Sequence, residues 1–265
     1  MNTAVQGETD LVLKRVEEGI CTLTLNRPQA RNALSVALMS ALQDELDAIK
    51  ADRSVRVVVI AANGPAFCAG HDLKEMRANP EREFYEALFA QCSRLMTSII
   101  ELPQPVIARI HGIATAAGCQ LAATCDLAVA ADTVRFATPG VNIGLFCSTP
   151  MVALSRAVGR KHAMEMLLTG DMIDARRAYE MGLVNRVVSA EELDDAVYQL
   201  ASKIASKSPL TLAIGKEAFY RQAEKDLASA YAYCSEVMTR NMLARDAEEG
   251  IDAFLEKRTP VWCGE

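Results

Sequence analysis

Val55-Arg56-Val57-Val58-Val59-Ile60-Ala61-Ala62-Asn63-Gly64-Pro65-Ala66-Phe67-Cys68-Ala69-Gly70-His71-Asp72-Leu73-Lys74-Glu75-Met76 sets the frame of this chain. Val55 to Ala62, interrupted only by Arg56, is an aliphatic, β-branched run, the pattern of a strand buried on both faces. Gly64-Pro65 breaks it, and Asp72 with Glu75 three residues on has the spacing of a helix N-cap and its reciprocal partner. Backbone N–H groups around Gly70 to Asp72 then converge at a helix start, where negative charge is stabilised. Taken alone, the residues fit either a turn that only caps a helix or a site that polarises a ligand.

The same alternation extends outward. Upstream, Leu11 to Val16 and Ile20 to Leu25 flank the turn-like Glu17-Glu18-Gly19 and predict a β-hairpin. Leu34, Leu38, Leu42, Leu46 and Ile49 then repeat at helical spacing, with Ser35 expected to face water. Downstream, an amphipathic segment from Pro80 to Leu102 precedes the strand Val106 to Ile110. A small-residue helix from about Ala116 to Cys125 precedes the strand Leu127 to Ala131. Repeated strand-helix alternation implies an α/β fold with parallel pairing. After Val187 the pattern is helical only, which divides the chain into a core over residues 1–200 and a helical C-terminal subdomain over 201–265, with Ser208-Pro209 a break inside it.

Composition narrows the function. In 265 residues, Lys plus Arg number 28 against 34 Asp plus Glu, a formal net charge of −6 that argues against a general nucleic-acid-binding surface. No apolar stretch is long enough to span a bilayer. The eight cysteines are scattered without a Cys-x-x-Cys pair, and the three histidines stand far apart, so neither a disulfide frame nor a metal centre is expected. The first ten residues carry acids and no targeting pattern; with reduced thiols this predicts a cytoplasmic protein.

A second Gly/Ala-rich segment, His111-Gly112-Ile113-Ala114-Thr115-Ala116-Ala117-Gly118-Cys119-Gln120-Leu121, opens a helix after the strand Val106 to Ile110. Its first N–H groups lack intrahelical partners, and its small side chains allow close approach, either by a ligand or by a neighbouring sheet. Arg27-Pro28 with Asn32-Ala33-Leu34, Ala66 to Leu73, Gly112 to Ala122, Phe136-Ala137-Thr138-Pro139 with Gly144, Gly182-Leu183-Val184-Asn185 and Phe254 to Arg258 resemble, in order and spacing, the crotonase (enoyl-CoA hydratase/isomerase) superfamily over nearly the whole chain. His71-Asp72-Leu73-Lys74, Gly144 to Pro150 and Pro260-Val261-Trp262 are similar to its enoyl-CoA hydratase domain-containing branch.

The resemblance implies an α/β fold, a crotonase-like spiral of repeated ββα units with a helical C-terminal subdomain, assembling as a homotrimer or a dimer of trimers. It also implies an acyl-CoA thioester substrate, with coenzyme A entering as part of that substrate and no separate cofactor, while the net charge, the scattered histidines and the short apolar runs argue against nucleic-acid, metal and membrane partners. By position, the N–H groups of His71 and Ala117 are expected to hold the thioester oxygen. Arg31, Ala33, Ala69, His71, Asp72, Leu73, Lys74, Phe254 and Lys257 are expected to contact CoA. The two family glutamates fall on Gln120 and Gly140, so hydration is expected to be weak, because an amide cannot take a proton from water. Cys147 and Ser148 stand where other members carry a nucleophile, with His71 as their candidate base. The bland readings are a core thiol for Cys147 and a helix N-cap for Ser148. Two other functions follow as alternatives: an acyl-CoA-binding or regulatory protein without catalysis, and a thioesterase using Cys147 or Ser148.

Overall fold

The computed structural model describes residues 10–265, so residues 1–9, on which the targeting expectation rests, lie outside the described residues. The expected hairpin forms from β1 (Val12–Glu17) and β2 (Ile20–Leu25). Ser35 caps α1 (Val36–Lys50) by accepting the Leu38 N–H. It is buried, contrary to expectation, because the cap sits where the chain enters the core. The β3 strand (Val57–Ala62) is buried along its whole length, as its unbroken aliphatic sequence requires.

From β3 onward the chain repeats two strands and a helix. β4 (Ala66–Cys68) is followed by α2 (Leu73–Ala78) and α3 (Arg82–Glu101). β5 (Val106–Ile110) and β6 (Ile113–Thr115) are followed by α4 (Ala117–Thr124). β7 (Leu127–Ala131) and β8 (Arg135–Ala137) are followed by a 3-10 turn (Pro139–Ile143), α5 (Pro150–Ala157) and α6 (Arg160–Thr169). The first strand of each pair joins a six-stranded sheet in the order β1-β2-β3-β5-β7-β10, parallel from β2 on, where β10 is Arg186–Val188. The second strand joins a four-stranded sheet ordered β4-β6-β8-β9, with β9 (Ile173–Asp174) antiparallel at its edge. This is the expected spiral of ββα units: each turn adds one strand to each sheet, and the inner residues of both sheets build one core.

The α7 helix (Ala175–Met181) precedes β10, and α8 (Leu193–Ala205) lies across β3, β5 and β7. Residue 200 therefore falls inside a helix that covers the main sheet. Beyond it lie α9 (Pro209–Ala223), α10 (Leu227–Met242) and α11 (Arg245–Glu256). A buried ion pair fastens α9 to the core: Lys216 Nζ lies 2.7 Å from Asp126 and donates to the Ile99 and Gln104 carbonyls. Asp126, in the turn between α4 and β7, also accepts the Val106 N–H and the Tyr220 hydroxyl, and so joins two sheet strands to a C-terminal helix. Asp246 fixes the tail by accepting from Ser208 and from the Cys263 and Gly264 N–H groups, and the Trp262 indole donates to the Ser206 carbonyl.

Candidate active site

Parallel pairing of β4 with β6 brings the exits of both strands to one edge, and there the two small-residue segments meet. After β4, Gly70 turns the chain at φ +96°. Its carbonyl accepts the Leu34 N–H at 2.7 Å, while the Asp72 N–H donates to the Leu34 carbonyl at 3.2 Å. That parallel bridge engages the residues on either side of His71 and leaves the His71 N–H with no acceptor among the described residues. After β6, Ala116 adopts φ 50°, ψ −119°, a conformation costly for any residue with a Cβ, and its N–H donates to the Ala137 carbonyl. α4 begins at the next residue, so the Ala117 N–H has no intrahelical acceptor.

The two turns touch. A Cβ at Gly70 would meet the Ala116 Cβ at 2.9 Å and the Ala117 nitrogen at 3.4 Å, so only glycine lets them approach this closely. Gly118 serves the same end, since a Cβ there would sit 2.0 Å from the Cys68 carbonyl oxygen. The missing side chain at Gly118 thus admits the chain's own β4, not a ligand.

The Arg27–Asn32 loop braces this edge. Asn32 is fully buried, donates to the Asn63 and Ala66 carbonyls at 2.8 Å each, and accepts the Arg27 N–H. The Arg27 guanidinium donates to the Ala33 carbonyl and pairs with Asp72 at 3.0 Å. Desolvation raises the Asp72 carboxyl, but the hydrogen bonds from Arg27 and from the Glu75 and Lys74 N–H groups outweigh it and hold the pKa below the usual value. Asp72 caps α2 as expected, whereas Glu75 does not reach back to it: its carboxylate accepts the Val36 N–H at 3.0 Å and caps α1 instead. Sequence reasoning missed these long-range anchors; the one local signal was an asparagine at 32, a residue that tolerates its φ of 53°.

Among the side chains, Gln120 is buried on the first turn of α4 with Oε1 unpartnered, and Thr138 Oγ1 and both ring nitrogens of His71 are likewise buried without a protein partner. Burial pushes the His71 imidazole below its ordinary pKa, an effect the Leu34 carbonyl, near but outside hydrogen-bond geometry, only partly opposes. The His71 ring meets Phe89 of α3 edge to face, centroids 5.7 Å apart.

Gly140 is buried against the loop that follows it. Cys147 is buried and its thiol is raised above the ordinary value by desolvation, only partly offset by a backbone hydrogen bond from Gly140. Cys68 and Cys119 are pushed up to about 12 by burial. Ser148 Oγ contacts the Phe146 carbonyl and caps nothing; the N-cap of α5 is Thr149, without a side-chain bond. Neither Cys147 nor Ser148 hydrogen-bonds His71, so the nucleophile-base pair considered for a thioesterase is not assembled.

Ala33 is buried beneath the Arg27 loop, while Arg31, at φ 52°, is exposed and gives its carbonyl to the Ala69 N–H. Leu73 and Lys74 are exposed on α2. Phe254 and Lys257 lie elsewhere, at the end of α11, which packs chiefly on α9 and α10; Phe254 is 81% exposed. No hydrogen bond or ion pair of the described residues connects them to the Ala69–Lys74 edge.

A family model described as enoyl-CoA hydratase/isomerase matches residues 15–265. The chain belongs to that family. It is similar to enoyl-CoA hydratase domain-containing protein 3, mitochondrial, of Rattus norvegicus, at 46% identity over 97% of this chain and 86% of the relative. Among solved structures, an enoyl-CoA hydratase from Mycobacterium smegmatis superposes with a TM-score of 0.93 at 59% identity, covering 95% of this chain and 98% of that one. Human enoyl Coenzyme A hydratase domain-containing protein 3 gives 0.93 at 47%, covering 95% and 100%. The cytoplasmic expectation is corrected by these relatives, since the rat protein and its Xenopus laevis counterpart are named mitochondrial. Buried reduced thiols fit any reducing compartment, so the cysteine pattern never discriminated between them.

Proposed function

We propose that the chain is an acyl-CoA enzyme of the hydratase/isomerase type, in which the His71 and Ala117 N–H groups hold the oxygen of a thioester and stabilise its enolate. The contact of the Gly70 turn with Ala116 and Ala117 carries this reading, because it sets two uncommitted donors side by side at the mouths of neighbouring strands. Fixed backbone donors need no reorganisation as charge develops, and one such donor contributes about 10²- to 10³-fold in rate. The Ala117 methyl narrows the space beside the bound thioester, and exposed Lys74 offers charge to the CoA phosphates.

Hydration is the weak step in this reading. Gln120 holds water without accepting its proton, and Gly140 supplies no group at all. With acid-base groups worth about 10²- to 10⁴-fold each, the rate falls well below that of a two-glutamate site. A binding protein without turnover is the second reading, favoured by those same two positions.

The helical C-terminal part, expected over 201–265, supports assembly into a homotrimer or dimer of trimers. Tyr231 on α10, Leu243 just past its end, and Phe254 and Leu255 on α11 expose large apolar surface, and a neighbouring copy would bring Phe254 and Lys257 to a CoA site they do not reach within one chain.

The deciding experiment binds acetoacetyl-CoA, whose enolate has its own absorbance. A rise in that band on binding supports the paired donors. Binding with no rise favours the binding-only protein, and absence of binding refutes the acyl-CoA reading.

A further inference from the structure

Each carboxylate beside the two turns is already committed. Asp72 is paired with Arg27 and caps α2, and Glu75 caps α1. The Cys147 and Cys119 thiols are raised by burial and Gln120 does not titrate. His71 differs: both of its imidazole nitrogens are buried and neither has a protein partner. Such nitrogens, buried and left unpaired, are costly unless something binds them. They do not stand alone, because Gln120 Oε1 and Thr138 Oγ1 are orphaned too, three residues beyond Ala117 and one residue beyond the Ala137 carbonyl that anchors Ala116. The turns and the segments that continue or anchor them thus hold several buried polar atoms that no protein group satisfies.

We propose that the His71 imidazole is the proton carrier of this site, taking a proton from the water that adds at the β-carbon of an enoyl thioester and returning it to the α-carbon. This rests on the enolate-stabilising role proposed above for the His71 and Ala117 N–H groups. The ring and one of those N–H groups belong to the same residue, so the imidazole nitrogens lie within about 4–6 Å of the donor that fixes the thioester oxygen. A thioester held by that N–H has its α- and β-carbons at a similar distance, so a ring turned to the same side reaches them. Phe89 packs on the ring from α3 and holds its orientation.

The step balances with no other reactant. A water O–H bond breaks as a C–O bond forms at the β-carbon; the C=C pair moves onto the thioester oxygen; the released proton rests on the ring. The enolate then collapses and draws that proton to the α-carbon, so one water has added across the double bond. Burial keeps the resting ring neutral, the form that accepts a proton. Gln120 positions the water through its amide.

The test is His71→Gln, which keeps the backbone N–H and removes the titrating group. Crotonyl-CoA hydration at saturation is expected to fall by about 10²-fold or more. Butyryl-CoA, which has no double bond to hydrate, is bound in parallel: loss of a proton carrier lowers kcat by far more than it weakens this binding. His71→Phe, which retains an aromatic contact with Phe89, should show the same loss; a purely structural role would be relieved by it and would shift butyryl-CoA binding in His71→Gln. Hydration unchanged in both variants overturns the proposal, as does a wild type that raises the acetoacetyl-CoA enolate band yet hydrates nothing. If the wild type binds neither acetoacetyl-CoA nor butyryl-CoA, the acyl-CoA reading itself fails and takes this one with it.

Discussion

Restoring the absent carboxylate by Gly140→Glu is the obvious way to build a hydratase from this chain, and the structure predicts that it fails at the first carbon. A Cβ at 140 would lie 2.7 Å from the Leu145 carbonyl oxygen, 2.9 Å from Cys147 Sγ and 3.3 Å from the Leu145 carbonyl carbon. The thiol can turn away, but the Leu145 carbonyl is backbone, and its own N–H donates to the Gly140 carbonyl at 2.9 Å. Relief needs the loop to move by several tenths of an ångström, and overpacking of that kind costs about 1–3 kcal/mol. For a chain of this size, each kcal/mol lowers Tm by roughly 2–4 °C. Gly140→Ala, which adds only the clashing atom, should therefore lower Tm by roughly 2–12 °C. Adding Cys147→Ala should not restore it, because the carbonyl contact remains. Gln120→Glu, close to isosteric, serves as the comparison that adds a carboxylate without a new clash. Thermal melting followed by circular dichroism reads the effect. A Gly140→Ala protein melting within about 1 °C of wild type would show that the loop yields freely and refute the argument.

Asn32→Ala removes a buried amide that joins three backbone groups and should cost about 2–3 kcal/mol, read as a lower midpoint in urea at unchanged slope. Lys216→Met leaves the Asp126 charge partly buried without its cation and should cost about 3–5 kcal/mol by the same measurement; a loss under about 1 kcal/mol would mean that the pair does not fasten α9. The Asp72 carboxyl is held below 3.8 in the folded chain, so its contribution is complete above that pH and disappears as acid lowers the pH through the folded value. Arg27→Met should flatten that acid limb of stability, and an unchanged limb would separate the ion pair from it. Ala116→Gly relieves φ 50°, ψ −119° and should raise stability by about 1 kcal/mol, whereas a loss would show that the turn is unstrained.

Much of the frame was legible because it is local. The hairpin, the buried β3 run and the helices after β10 follow from hydrophobic period and turn residues, which act over a few positions. Boundaries were less legible: the division expected at residue 200 falls within α8, whose sequence carries no sign that it spans three strands of the sheet. Capping at Glu75 was misread for a related reason. Spacing showed a carboxylate three residues past a cap, but its partner, Val36 N–H, lies 39 positions back in sequence. Ser148 looked like the cap before Pro150, yet the chain begins its helical turn one residue later, at Thr149.

Residue type and spacing alone set the alternation of strands and helices, the two small-residue turns, and the family. They also leave Gln120 and Gly140 without a carboxylate. Packing in three dimensions puts Gly70 against Ala116 and Ala117, fills the space at Gly140, and buries the His71 nitrogens without partners. The Gly70 contact arises where segments about 45 residues apart are pressed together by parallel pairing of β4 and β6, and the filling at Gly140 where its own loop folds back through Leu145 and Cys147; neither leaves a periodic trace along the chain.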